Sequence, residues 1–173
     1  MILLSVGTQL PFDRLVRAVD DWALATARDD VVGQIGPSSY RPQTIRAFDF
    51  LDHGRFRALQ ADCSLMVSHA GMGSIITAME LGKPIILLAR DHRLGEHRNA
   101  HQTSTIRHFA QLPGVYAARD TAEVVALLDR ADTLLARPSA STSAPPEFTE
   151  RLADWLHTPP RPTLLQRIAR RLR

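Results

Sequence analysis

Cysteine is almost absent: Cys63 stands alone among 173 residues. No internal disulfide can form, which agrees with a reducing compartment. Set in an apolar approach to a strand, that thiol reads as a packing residue. Lysine is equally scarce, with Lys83 the only one, so the positive charge is carried by arginine. Aromatic residues make up 6% of the chain and form no interleaved platform, and no helix reads as a groove-entering element. A nucleic-acid partner is therefore not expected. No run approaches the roughly 18 apolar residues that cross a bilayer. The opening Met1–Gly7 lacks the basic and extended apolar regions of a signal peptide. These absences predict a cytoplasmic protein.

What is present fits one globular domain with a real core: 45% of residues are hydrophobic and the formal charge is +3. Arg161, Arg167, Arg170, Arg171 and Arg173 gather at the carboxyl end. Such a balance suits a phosphorylated ligand or an anionic surface.

Short apolar runs alternate with helical periodicity, the pattern of a parallel sheet covered on both faces. Strands are predicted at Ile2–Val6, Val31–Ile35, Thr44–Phe48, Ser64–Val67, Pro84–Leu88 and Val115–Ala117. Helices are predicted from Asp13, as cap, to Arg28, then over Gly54–Ala61, Ser74–Leu81, Glu96–Gln111, Thr121–Ala136 and Glu147–Leu156. The implied organisation is an α/β domain over 1–136, a Ser/Ala/Pro-rich linker over 137–146, and a helical extension over 147–173. In the extension, Leu164, Leu165, Ile168 and Leu172 oppose the arginines. That spacing suits a solvated face, a partner helix or a membrane surface.

In open α/β sheets, ligands gather outside the carboxyl ends of the strands. Three segments stand there. Ser68-His69-Ala70-Gly71-Met72-Gly73-Ser74 reads as a small-residue turn opening a helix, where free amide hydrogens and the helix dipole favour an anion. Gly7-Thr8-Gln9 follows the first strand and reads either as an ordinary βα turn or as a ligand contact. Glu96-His97-Arg98-Asn99-Ala100-His101-Gln102 reads as a helix opening whose Asn and Gln suit sugar or ribose hydroxyls.

Competing chemistries are weaker. A dinucleotide site would need a third glycine where Ile75 and Ile76 stand, although Asp91 has the spacing of a ribose-binding acid. His97 and His101 would share a helical face, yet no third metal ligand is apparent, so no metal is expected. A Ser–His hydrolase lacks its G-x-S-x-G elbow.

Together, Val6-Gly7-Thr8-Gln9-Leu10-Pro11-Phe12-Asp13-Arg14-Leu15, the Ser68–Ser74 segment, Glu80-Leu81-Gly82-Lys83-Pro84 and Gly95–Gln102 resemble the glycosyltransferase family 28 C-terminal domain. This is the donor-binding half of a GT-B enzyme, with a Rossmann-like open parallel sheet. Within that family the likeness is to small subunits of two-component transferases of exopolysaccharide and dolichol-linked glycan assembly. The resemblance implies binding of a UDP-sugar as substrate, with no cofactor. It implies donor contacts from Gly7, Thr8, Gln9, Phe50, Ser68, Gly71, Met72, Gly73, Ser74, Glu80, His97, Asn99 and Gln102, and a catalytic role for His69 as base or diphosphate contact. Many relatives carry an acidic ribose contact where this chain has Thr77, with Glu80 nearby. It further implies a membrane-anchored acceptor-binding subunit, with a Rossmann-like half and a transmembrane helix. Together they would perform inverting transfer of a hexose or hexuronic acid to a lipid-pyrophosphate-linked saccharide at the inner face of the plasma membrane. Glucuronic acid is the expected sugar, with Arg90, Arg93 and Arg98 available for its carboxylate. The alternatives are a non-catalytic nucleotide-binding regulatory module and an NAD(P)-binding domain.

Overall fold

The computed structural model describes residues 1–99, 101–136, 138 and 143–158. Six strands form one parallel sheet: β1 (Ile2–Ser5), β2 (Val31–Gln34), β3 (Arg46–Phe48), β4 (Leu65–His69), β5 (Ile85–Leu88) and β6 (Val115–Ala118). Their spatial order is β3-β2-β1-β4-β5-β6, the doubly wound arrangement. The intervening helices are α1 (Asp13–Ala25), α2 (His53–Asp62), α3 (Met72–Leu81), α4 (His101–Phe109) and α5 (Thr121–Leu128), and α6 (Pro146–His157) follows.

Strand alternation divides the core. Ile2, Leu4, Val67, Ile86 and Leu88 face α1 and α5 through Leu15, Val16, Val19, Trp22, Val124 and Leu128. Leu3, Met66, Ile85 and Leu87 face the other layer, with Cys63, Ile75, Ala78 and Ile106. Both sheet faces are thus covered, which is why the strands read as continuous apolar runs. Cys63 is fully buried, and burial pushes its thiol up.

Several boundaries differ from the sequence reading, each for a physical reason. Ser68 and His69 belong to β4 rather than to the turn, because β5 continues to pair with them, Ser68 with Leu87 and His69 with Leu88. The helix after them opens at Met72, with Gly71 as its cap residue, so the turn contracts to Ala70-Gly71. Asp13 is the first helical residue of α1 and not its cap; its carboxylate accepts from Ser38 Oγ at 2.5 Å and the Ser39 amide at 3.1 Å. β3 begins at Arg46 rather than Thr44, since the amides of Gln43, Thr44 and Ile45 all donate to buried Asp20, each at 2.9 Å. The helix placed over Glu96–Gln111 is confined to His101–Phe109, and the one placed over Thr121–Ala136 stops at Leu128, followed by a 3₁₀ turn at Ala131–Thr133.

The chain divides into two units, Met1–Ala140 and Ser141–Arg173. The first holds the whole sheet. Of the second, α6 is described, and the amphipathic segment read over Thr163–Arg173 lies outside the described residues, as does half of the 137–146 linker. Among the described residues no helix is long and apolar enough to cross a membrane.

Candidate functional site

The strand order reverses between β1 and β4, and their carboxyl ends therefore part to leave a crevice. An open cleft of ≈ 660 Å³ occupies it, lined by Val6–Leu10 after β1, His69 at the end of β4 with Gly71 and Gly73 beyond it, Arg90 after β5, and His97, Arg98, Asn99 and Gln102. The three segments singled out in the sequence, far apart along the chain, meet here.

Two glycines make room for one imidazole. Gly7 has φ +82°, a left-handed conformation, and a Cβ there would lie 3.2 Å from His69 Cε1. A Cβ on Gly71 would run into His69 Nε2. The ring therefore sits between the β1 and β4 loops in a slot that side chains at either position would fill. Gly73 differs, having open space around its missing Cβ.

The Ser68 hydroxyl donates to the Ser5 carbonyl at 2.7 Å, and His69 Nδ1 lies 3.3 Å from that hydroxyl oxygen. One hydroxyl has one proton, so with Ser5 taking it, Nδ1 is the donor toward Ser68 and Nε2 is left as an acceptor. Burial, with Arg90 close by, drives the imidazole pKa down to about 4, so the ring is neutral at physiological pH.

Beside it, α3 begins without a side-chain cap. Gly71 donates to the His69 carbonyl at 2.8 Å, and the first intrahelical bond comes from Ile75. The amides of Met72, Gly73 and Ser74 have no partner among the described residues. With the positive end of the helix dipole, this corner favours an anion, and Arg98 lines the same cleft.

The far wall is built on Arg90, a residue absent from the predicted donor-contact set. It is only 4% exposed. Its guanidinium donates to the carbonyls of Val6, of Leu10 at 2.8 Å, of Pro11 at 2.6 Å and of Glu96 at 3.0 Å, and lies over the Phe12 ring. Buried Glu96 completes the wall: its carboxylate accepts from Arg14 Nε at 2.7 Å and from the Asp91 amide at 2.8 Å. This explains why 96–99 is not helical. Glu96 points inward to Arg14, and only Asn99 Oδ1, accepting from the His101 amide at 3.3 Å, starts α4. His97 therefore precedes the helix, and the shared face expected for His97 and His101 does not exist.

Gln102 is held by the same wall. Its Oε1 accepts from the Arg90 amide at 3.1 Å, so the side-chain NH₂ is what remains to offer the cleft. Of the three arginines assigned to a sugar carboxylate, Arg90 is bound to backbone carbonyls and Arg93 forms a 2.7 Å ion pair with Asp91, leaving Arg98 in the cleft. Asp91, the candidate ribose acid of a dinucleotide site, is held by Arg93.

The other predicted residues lie around rather than within the lining. Ser68 is buried beneath His69, and Ser74 Oγ lies 3.0 Å from its hydroxyl. Met72 is exposed on the first turn of α3. Phe50, 70% exposed, stands beyond the carboxyl end of β3, where Gln34 Oε1 accepts from the Leu51 amide at 2.9 Å. Glu80 is seven residues along α3 from Gly73, about 10 Å down its axis at 1.5 Å per residue. Among the described residues no cluster of three His, Cys, Asp or Glu could hold a metal ion.

A doubly wound domain with an amide-lined anion corner at its switch point is the frame of a phosphate-ligand-binding α/β protein. Comparison with known proteins narrows that class. The chain belongs to the glycosyltransferase family 28 C-terminal domain family, whose model matches residues 1–155. It is 29% identical over 161 residues to the UDP-N-acetylglucosamine transferase subunit ALG13 of Eremothecium gossypii, covering 91% of this chain and 75% of that protein. The solution structure of ALG13 superposes with a TM-score of 0.57 at 18% identity, over 91% of this chain and 96% of the other. The crystal structure of the kitacinnamycin glycotransferase gives 0.55 at 18% identity, over 88% of this chain and 36% of that one. The fold is that of the carboxyl-terminal half of GT-B glycosyltransferases.

Proposed function

We propose that this chain is the donor-binding subunit of a two-component, inverting glycosyltransferase that uses a UDP-sugar. The reading is supported chiefly by the unpaired amides that open α3, of which Gly73 lines the switch-point cleft together with His69 and Gln102, in a family 28 chain. The diphosphate lies against the amides of Met72, Gly73 and Ser74. The base borders the Asp49–Leu51 loop, and the sugar reaches Asn99 and the Gln102 NH₂. The charge that grows on departing UDP is met by fixed dipoles, with no metal required.

His69 has the tautomer of a base rather than of a phosphate donor, because Nε2 has a lone pair and no proton. In the free protein its pKa is too low for effective proton abstraction. A bound diphosphate beside it stabilises the imidazolium and raises that pKa, so the donor prepares its own base. The acceptor hydroxyl then loses its proton to Nε2 and attacks the anomeric carbon. The bond to UDP breaks, and UDP leaves with the electron pair.

The acceptor is a lipid-pyrophosphate-linked saccharide, presented by a membrane-anchored partner at the inner face of the plasma membrane, in exopolysaccharide assembly. The donor sugar is a hexose or hexuronic acid, and glucuronic acid rests on Arg98 as its carboxylate partner. Calorimetry with UDP and with NADH tests the core of this reading. UDP binding lost in Gly73→Asp but kept in Gly73→Ala is expected; NADH binding in place of UDP refutes it. Transfer from radiolabelled UDP-sugar by the co-expressed pair distinguishes an enzyme subunit from a regulatory nucleotide-binding module.

A further inference from the structure

Asp13 is tied into a loop that the donor reading leaves unused. It is the first residue of α1, shortly after the β1 loop that lines the cleft, and its carboxylate is engaged by the segment joining β2 to β3. Oδ1 accepts from Ser38 Oγ at 2.5 Å and from the Ser39 amide at 3.1 Å, and Oδ2 accepts from Ser39 Oγ. Two residues before Ser38, Gly36 takes a left-handed φ of +58°, and a Cβ on it would lie 2.5 Å from the Gly7 carbonyl oxygen. Bare backbone of one loop therefore rests on bare backbone of the other. From that position the Gly36 amide donates to the Asp49 carbonyl at 3.0 Å. Arg41 adds a second tie, donating to the Ser38 carbonyl at 2.8 Å and to the Asp49 carboxylate at 3.2 Å. Beyond Phe50, the Leu51 amide donates to the buried Gln34 side chain. Phe50 is thus fixed at both neighbouring residues while it stays 70% exposed. An aromatic ring on a backbone held in this way loses little freedom when a planar ligand stacks on it.

We propose that Asp13 is a positioning residue for nucleobase recognition, clamping Ser38 and Ser39 so that Gly36 holds Asp49 and Phe50 stands where a base stacks. The inference rests on the reading of the cleft as a nucleotide-sugar donor site. Asp13 acts through the two loops and touches no substrate. The Arg41–Asp49 ion pair is solvent-exposed and contributes little by itself, so the Gly36 amide is the link that carries the effect.

Calorimetry of UDP with the full chain tests the clamp. Asp13→Ala is expected to weaken UDP binding about tenfold, and Phe50→Ala to weaken it by a similar factor through lost stacking. Because both act on one platform, the double variant should bind no more than about twofold more weakly than Phe50→Ala alone. Asp13→Asn keeps an Oδ1 that can accept from both Ser38 and Ser39, and should restore affinity to within about threefold of wild type. A merely stabilising Asp13 would lower the urea midpoint and leave the UDP affinity of the folded chain unchanged. Should Asp13→Ala fail to fold, the pair Ser38→Ala, Ser39→Ala removes the donors instead and takes its place in the same cycle. Full UDP affinity without the clamp, no loss in Phe50→Ala, or losses that simply add in the double variant would overturn the proposal. A wild-type chain that binds no UDP overturns the donor reading and this inference with it; wild-type binding with an unaffected Asp13→Ala overturns this inference alone.

Discussion

His69 is the residue whose environment makes the sharpest prediction. Its pKa falls from 6.5 to about 4 because the ring is buried beside the Arg90 guanidinium. In the unfolded chain the imidazole takes up a proton near 6.5, and in the folded chain it does not until the pH approaches 4. The unfolded state therefore binds more protons throughout that window, and stability must fall as the pH drops through it. The full shift corresponds to about 3 kcal/mol of stability, intact above pH 6.5 and lost as the pH falls from 6.5 to 4. Urea denaturation at a series of pH values, compared between the wild-type chain and His69→Gln, isolates this contribution. The difference in unfolding free energy should change with pH between 6.5 and 4 and be flat above. Asp30 and Asp91, both lowered to about 2 by arginine partners, act in a separate window: their stabilisation is present above about 3.8 and lost toward pH 2. UDP supplies a second arm. If the diphosphate lies beside the ring, binding near pH 5.5 must take up a proton, read as a dependence of the calorimetric heat on buffer ionisation enthalpy. A wild-type and His69→Gln pair with parallel pH profiles, together with UDP binding that takes up no proton, would refute the reasoning.

Three further outcomes follow from the same geometry. Gly71→Ala should weaken UDP binding by about tenfold or more, since its Cβ displaces the imidazole, whereas Gly73→Ala, with nothing within 4 Å, should leave thermal stability unchanged or raised by up to about 1 kcal/mol. Arg90→Leu strands four carbonyls of the cleft wall and should cost about 3 kcal/mol or more in urea denaturation; Glu96→Gln keeps the shape, loses the charge opposite Arg14 and should cost less. Asp20→Ala frees three backbone amides and the Tyr40 hydroxyl, which donates at 2.7 Å, and should destabilise by about 2 kcal/mol, detected as faster amide exchange at 43–45.

The segments that make the site were legible along the chain because each carries a local signature. Gly7 and Gly71 stand where backbone or ring must approach closely, and the apolar run before Ser68 marks the buried body of a parallel strand. That Ser68 and His69 continue β4 was not legible, since pairing of Ser68 with Ser5 and Leu87, and of His69 with Leu88, makes these polar residues into strand. The sequence places Glu96 at the start of a helix running to Gln111. Its burial against Arg14, 82 positions away in sequence, decides otherwise. Arg90 fared the same way: as an arginine after a strand it read as available to substrate, and the fold turns it inward onto four carbonyls.

By itself, then, the amino-acid order determined the alternation of strands and helices, the parallel sheet and the small-residue turn at the fourth strand, because periodicity and glycine act over a few residues. The tertiary structure alone decided which charges face the ligand and which hold the walls. A guanidinium or carboxylate leaves water only where partners offset its desolvation, and those partners are brought within hydrogen-bond distance only by folding.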